Sequence, residues 1–249
     1  MVGDGAHVEW RVPDLARTLI YPSMLSANPA QMGQELMAVV LAGADGIHWD
    51  IMDGHFVDAI SFGALVIEAH RFLTSLGFGV HLMVQNPQNH IKTFAKAGAD
   101  FITVHREIDD DLRAVLSSIK SLGLKAGIAF NPATAVDDVL DYCDLLDEVL
   151  VMTVLPGRSG QNFMKSQLEK VKWLRSKLPQ AIKICVDGGI NPDTLRLCLD
   201  CGADNCVTGS YLFGSRDYSA AMETLRNVCA ENPAVCKSIS PVKLPNKNV

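Results

Sequence analysis

The stretch HWDIMDGHF, His48 to Phe56, gathers two histidines, two aspartates and a methionine between two apolar runs. Read as an extended strand, GIHWDIM alternates its side chains, with His48, Asp50 and Met52 on one face and Ile47, Trp49 and Ile51 on the other. The apolar set suits a face covered by helices. The polar set then points into the interior, where an unpaired carboxylate is costly. VHLMV, residues 80 to 84, repeats the arrangement with His81 and Met83 on one face, and KICVDG ends a further run at Asp187. Two imidazoles and two carboxylates converging from three strand ends are the donor set of a divalent-metal site. Each one singly also reads as a hydrogen-bonded core residue; all four at strand ends, with the alternation respected, favour the metal. Met52, Met83 and Met152 fit two descriptions, flexible core filler or lining of a substrate pocket.

Three glycine-rich turns come later in the chain: PGRSGQ at 156 to 161, DGGINP from Asp187, and TGS at 208 to 210. Glycine lets backbone N–H groups approach an anion closely, so three such turns after neighbouring strands predict a phosphate site and a phosphorylated small molecule as ligand.

These residues need a scaffold that brings distant strand ends together. Strand-like runs lie near 19 to 25 and at 46 to 52, 79 to 84, 101 to 105, 125 to 130, 148 to 154, 183 to 188 and 205 to 210, spaced roughly 20 to 35 residues apart. Between them SQLEKVKWLRSKL has helical period, and NPDTLRLCLD opens with Asn191 before Pro192 at a first helical position. A helix is expected in every crossover. AGAD at 42 to 45 and 97 to 100 and CGAD at 201 to 204 each place a glycine at a helix end just before the next strand. Eight such units predict an α/β fold, a single-domain (β/α)8 TIM barrel over 18 to 230, with an N-terminal extension at 1 to 17 and a polar C-terminal tail at 231 to 249. In such a barrel the site lies at the C-terminal ends of the strands, where the residues above fall.

Composition narrows the ligand further. A formal net charge of −6, with Lys and Arg scattered, offers no footprint for nucleic acid or an anionic membrane. No apolar run approaches a membrane span and the first residues lack the pattern of a signal peptide, so a cytoplasmic protein is expected. Seven cysteines, several in apolar segments, read as buried free thiols in a reducing compartment. Cys198 and Cys201 have C-x-x-C spacing, but the absence of a second ligand pair beside them argues against zinc.

YPSMLSA, HWDIMDGHFV, VHLMV, AGADFITVH, NPAT, VLVMTVLPG, VDGGI and GADNCVTGS together closely resemble the ribulose-phosphate 3-epimerases, from about Ile20 to about residue 225. The resemblance implies a metal-dependent isomerase of the pentose phosphate pathway that interconverts D-ribulose 5-phosphate and D-xylulose 5-phosphate. It implies one divalent ion (zinc, iron, manganese or cobalt) on His48, Asp50, His81 and Asp187, with Asp50 and Asp187 as the acid/base pair. Substrate contacts are implied for Ser23, His81, Met52, Met83 and Met152, and for the phosphate turns at Gly157, Arg158, Ser159, Gly160 and Gln161, Gly188 and Gly189, and Gly209 and Ser210. Members are commonly dimers or hexamers, so a homo-oligomer is expected. Two loops depart from the family pattern: Asp58-Ala59 stands where Pro-Asn is usual, and Arg158-Ser159 replaces Phe-Gly. Arg158 either bonds phosphate or faces solvent, and Ser159 would be strained at any positive φ. These departures leave D-allulose 6-phosphate as an alternative substrate. A barrel that only binds a sugar phosphate is disfavoured by the intact carboxylates and histidines. A metal-free decarboxylase or synthase would be expected to use a strand-end lysine, whereas Lys125 and Lys183 stand at strand starts.

Overall fold

The β-branched and aromatic runs form eight strands, and because each is joined to the next by a crossover, all neighbouring pairs are parallel. In the computed structural model, which describes residues 17–231, they are β1 (Leu19–Pro22), β2 (Gly46–Met52), β3 (Gly77–Met83), β4 (Phe101–His105), β5 (Lys125–Phe130), β6 (Glu148–Met152), β7 (Lys183–Asp187) and β8 (Asn205–Thr208). The sheet runs β1-β8-β7-β6-β5-β4-β3-β2, and a parallel bridge between Ser23 and His48 brings its two edges together as a barrel. The helices are α1 (Met32–Leu41), α2 (Ala64–Arg71), α3 (Ile91–Ala97), α4 (Leu112–Ser121), α5 (Leu168–Lys177), α6 (Pro192–Asp200), α7 (Ser210–Phe213) and α8 (Tyr218–Ala230). Residues 1–16 and 232–249, the bulk of the expected extension and tail, lie outside the described residues. Among the described residues no helix is long and apolar enough to cross a membrane.

Two layers of core follow from strand alternation. Ile47, Trp49 and Ile51 face outward into the apolar layer under the helices, where Trp49 meets Phe62 edge-on at 5.7 Å. Inside the barrel, Ala129, Leu150, Met152, Cys185 and Val207 form a smaller cluster against Tyr21. Asn191 caps α6 through a capping box with Thr194 and Pro192 stands in its first turn, as the sequence predicts.

Two expectations need correction. The crossover from β5 to β6 carries a 3-10 helix, Asp137–Tyr142, where an α-helix was expected. Pro132 and the aspartates at 137, 138 and 141 favour turns and caps over helix interiors. Several strands also stop short: β1 ends at Pro22 because Ser23 caps a 3-10 turn, accepting the Leu25 N–H, and β8 gives way to α7 at Ser210.

The AGAD echo has a structural meaning. Gly43, Gly98 and Gly202 take positive φ after their helices, and the aspartate two residues on then clamps the preceding strand. Asp45 accepts the Ile20 N–H, Asp100 that of Phe78 and Asp204 that of Ile184, each at 2.8 Å. Asp147, before β6, does the same for Ala126 at 2.8 Å. A cation from a helix meets each carboxylate: Arg226 for Asp45, Arg71 for Asp100, Lys120 for Asp147 and Arg175 for Asp204. The foot of the barrel thus carries one clamp for every two strands, at the end opposite the candidate site.

Candidate active site

At the C-terminal end of the barrel, β2, β3 and β7 deliver His48, Asp50, His81 and Asp187 to one point. One ligand atom from each lies within 4.8 Å of the others. His48 Nε2 and His81 Nδ1 are each 3.1 Å from Asp50 Oδ1, and 3.9 and 4.0 Å from Asp187 Oδ2. A tetrahedral ion with bonds of about 2.0–2.2 Å has ligand-to-ligand edges of about 3.3–3.6 Å, so the donor set fits such an ion with small adjustments. Two carboxylates and two imidazoles around a common buried point are also a set that a cation would complete.

The groups divide their charge unevenly. Burial alone would raise the Asp50 carboxyl, but His48 and His81 hold it well below the usual carboxylate range. Burial, then the negative charge of Asp50, pushes Asp187 up to about 7. Burial works against a charged His48, yet the contact with Asp50 outweighs it and carries that imidazole to about 9. His81 goes the other way, to about 4, because burial and the neighbouring His105 and His48 outweigh its bond to Asp50.

Asp50 is shared between two surroundings. Its Oδ1 faces the histidines, while its Oδ2 accepts from Ser23 Oγ at 2.5 Å. Above it opens a cavity lined by Ser23, Asp50, Met52, Met83, Met152 and Asp187, by Gly157, Arg158, Ser159, Gly160 and Gln161, and by Gly188, Gly189, Gly209 and Ser210. Every expected site residue except the two histidines therefore reaches the cavity wall, and His48 and His81 stand behind it against the aspartates. Met52, Met83 and Met152 line the same cavity as the two carboxylates and are almost fully buried.

The glycine turns keep the rim close. Gly188 has φ +118°, and a Cβ there would lie 2.4 Å from Val154 Cγ2. Thr153 Oγ1 lies 2.8 Å from the Asp187 carbonyl and 2.6 Å from that of Gly188, and its one proton ties the end of β6 to that of β7. In the PGRSGQ turn the left-handed positions include Gly157 and Gly160, which flank the pair Arg158 and Ser159. Gln161 spends its amide on the carbonyls of Leu155 and Arg158 at 2.6 and 2.9 Å, so it shapes this turn. Arg158 is exposed at the cavity rim.

The loop after β2 is built by Asp53, whose Oδ1 accepts the N–H groups of His55 and Phe56 and whose Oδ2 accepts that of Gln85. Ala59, one of the unusual pair, accepts the Gly54 N–H at 2.9 Å and so closes the loop through its backbone.

Some neighbours were not singled out from sequence. Ser26 Oγ is buried without a hydrogen-bond partner in a residue that lines the cavity. A second serine three residues after Ser23 in YPSMLSA was its only signal. His105 and Glu107 form a hydrogen-bonded pair behind His81. His105 ends the predicted strand FITVH, but its distance to His81 depends on strand register, which the sequence does not state.

A parallel (β/α)8 barrel with acidic and imidazole groups converging at its C-terminal mouth, beside glycine-rich turns, defines a barrel enzyme with a site for a small anionic ligand. Comparison with known proteins sharpens this. The model of the ribulose-phosphate 3 epimerase family matches residues 19–213. The ribulose-phosphate 3-epimerase of Bacillus subtilis (strain 168) is 43% identical over 211 residues, covering 83% of this chain and 97% of that protein. The chloroplastic ribulose-5-phosphate-3-epimerase of Arabidopsis thaliana is 41% identical over 213 residues, covering 84% and 76%. Among solved structures, 3-keto-L-gulonate-6-phosphate decarboxylase from Vibrio cholerae superposes with a TM-score of 0.68 at 14% identity over 87% of this chain and 99% of that one, which shows the fold alone. The chain belongs to the ribulose-phosphate 3-epimerase family and is an isomerase of that kind.

Proposed function

We propose that the chain inverts carbon 3 of a ketose phosphate, converting D-ribulose 5-phosphate to D-xylulose 5-phosphate, with Asp50 and Asp187 as the acid/base pair. The observation that carries this reading is the placement of the two carboxylates. They come from β2 and β7, strands with two others between them, and both reach the same cavity. Inversion through an enediolate requires a proton to leave one face of carbon 3 and another to arrive on the opposite face, so a carboxylate is needed on each side.

In this reading Ser23 orients Asp50 by donating to Oδ2. Met52, Met83 and Met152 exclude water from the planar anion without offering a competing proton. The glycine turns and Arg158 receive the phosphate, with α7 beginning just after Gly209. His48, Asp50, His81 and Asp187 would hold one divalent cation; a mixed imidazole and carboxylate set accepts zinc, iron, manganese or cobalt. Such a cation supplies Lewis acidity toward the ketone and hydroxyl oxygens of the substrate.

Incubation in D2O with ribulose 5-phosphate and, separately, allulose 6-phosphate tests the substrate. Deuterium at carbon 3 is expected in the first sugar, together with xylulose 5-phosphate, read by NMR. Label confined to the six-carbon sugar would transfer the assignment to that substrate. Label in neither would leave a barrel that binds sugar phosphates without turning them over.

A further inference from the structure

Each imidazole of the cluster offers one nitrogen to its centre, and for His81 the other nitrogen is also engaged. His81 Nε2 lies 2.8 Å from His105 Nε2, with the two rings stacked at 4.9 Å and 23°. His105 Nδ1 in turn lies 3.0 Å from Glu107 Oε2. The other oxygen of Glu107 accepts the Asn131 N–H at 2.8 Å. Both histidines are fully buried, and Phe56 covers His105 with ring centroids 4.7 Å apart.

The row Asp50, His81, His105, Glu107 contains three contacts, and two neutral imidazoles bring only two ring protons to it. A cation on His81 Nδ1 would need that lone pair bare, so the ring proton of His81 would sit on Nε2 and be donated to His105 Nε2. His105 would then carry its own proton on Nδ1 and donate it to Glu107, a carboxylate whose other oxygen already accepts the Asn131 N–H. Glu107 thus completes the order of ring protons that leaves His81 Nδ1 free for the cation.

We infer that Glu107, acting through His105, is a positioning residue that fixes His81 as the tautomer offering Nδ1 to a divalent cation, and so sets how tightly the cluster holds that cation. This rests on the reading of the cluster as a cation site given above. Carboxylate or carbonyl partners that orient a ligating histidine typically contribute tenfold to a hundredfold in metal affinity.

Zinc binding to the full chain, measured by competition with a chelator, tests the inference. Glu107→Gln keeps the size of the side chain, but turning its NH2 toward His105 reverses the row, and turning it toward Asn131 sets N–H against N–H. His105→Leu removes the acceptor for His81 altogether. Both variants are expected to bind zinc about tenfold to a hundredfold more weakly than wild type. In the zinc-loaded wild type, 15N spectra of the histidines are expected to show His105 protonated at Nδ1 and His81 at Nε2. Wild-type His105 protonated at Nε2, or both variants within about twofold of wild-type affinity, would overturn the inference, and the wild-type spectrum decides it should either variant fail to fold. Wild-type protein that takes up no zinc would overturn the cation reading and this inference with it. Uptake of about one ion by wild type with undiminished affinity in the variants would overturn this inference alone.

Discussion

Asp50 belongs to two surroundings at once. One oxygen faces two histidines and the other is held by Ser23 at the cavity wall. Asp50→Asn preserves size and removes the base, so kcat is expected to fall by about 10^2- to 10^4-fold in a chain that still folds. An active variant would sink the acid/base assignment. This residue, with His48, Asp187 and the three methionines, was legible because strand alternation alone sorts inward from outward positions. His105 and Glu107 were not, although both are plain in FITVHRE. Their significance is a 2.8 Å contact between β3 and β4, and residue type says nothing of such a distance until register is known. Ser26 escaped notice because its hydroxyl matters through its lack of a partner, which only the packed turn reveals.

Among the elements, β2, β4 and β5 have the bounds the pattern predicts, while β1, β3, β6, β7 and β8 end sooner than predicted, since pattern does not show where a side chain such as Ser23 caps a turn. The missing helix between β5 and β6 was obscured by the regularity of the rest. The clamps show both the reach and the limit of repeat reading. Three announce themselves through AGAD or CGAD, while the fourth, at Asp147, sits in LLDE without the glycine and was invisible. Asp147 binds both the Ala126 N–H and Lys120. Asp147→Ala is therefore expected to lower stability by about 1–3 kcal/mol. Because the clamps lie at the end of the barrel away from the cavity, kcat should stay unchanged. Denaturant unfolding and an activity assay on the same sample check both statements, and a loss of activity in the folded variant would contradict the division between the two ends.

For the molecule as a whole, the buried Glu148 at the start of β6 ties stability to pH. Burial lifts its carboxyl from the ordinary 4.5 to about 7, with Asp204 adding to the rise and Asn205, His48 and Lys125 opposing it. Asn205 Nδ2 donates to Oε2 at 3.0 Å. Between pH 4.5 and about 7 the folded chain keeps a proton at Glu148 that the unfolded chain has released. The contribution of this group to stability is therefore lost as pH rises through that window and stays lost above it. Glu148→Gln is expected to match wild type near pH 4.5 and to exceed it by about 3 kcal/mol at pH 8. Melting curves across pH check the growing gap, and parallel curves for the two proteins would refute it.

The clamps at the barrel foot are alike in space but unlike along the chain. Three join residues 29, 27 and 29 positions apart, whereas the one from Arg226 to Asp45 joins residues 181 positions apart. Closing a long loop costs more entropy than closing a short one. The three local clamps can therefore form while the ring is still open, as can the contacts of Asp45 with Ile20 and Arg17, whereas the Arg226 contact waits until the last helix has returned to β1. A structure that repeats itself around a circle thus keeps a direction in time, with its last lock where the two ends of the barrel meet.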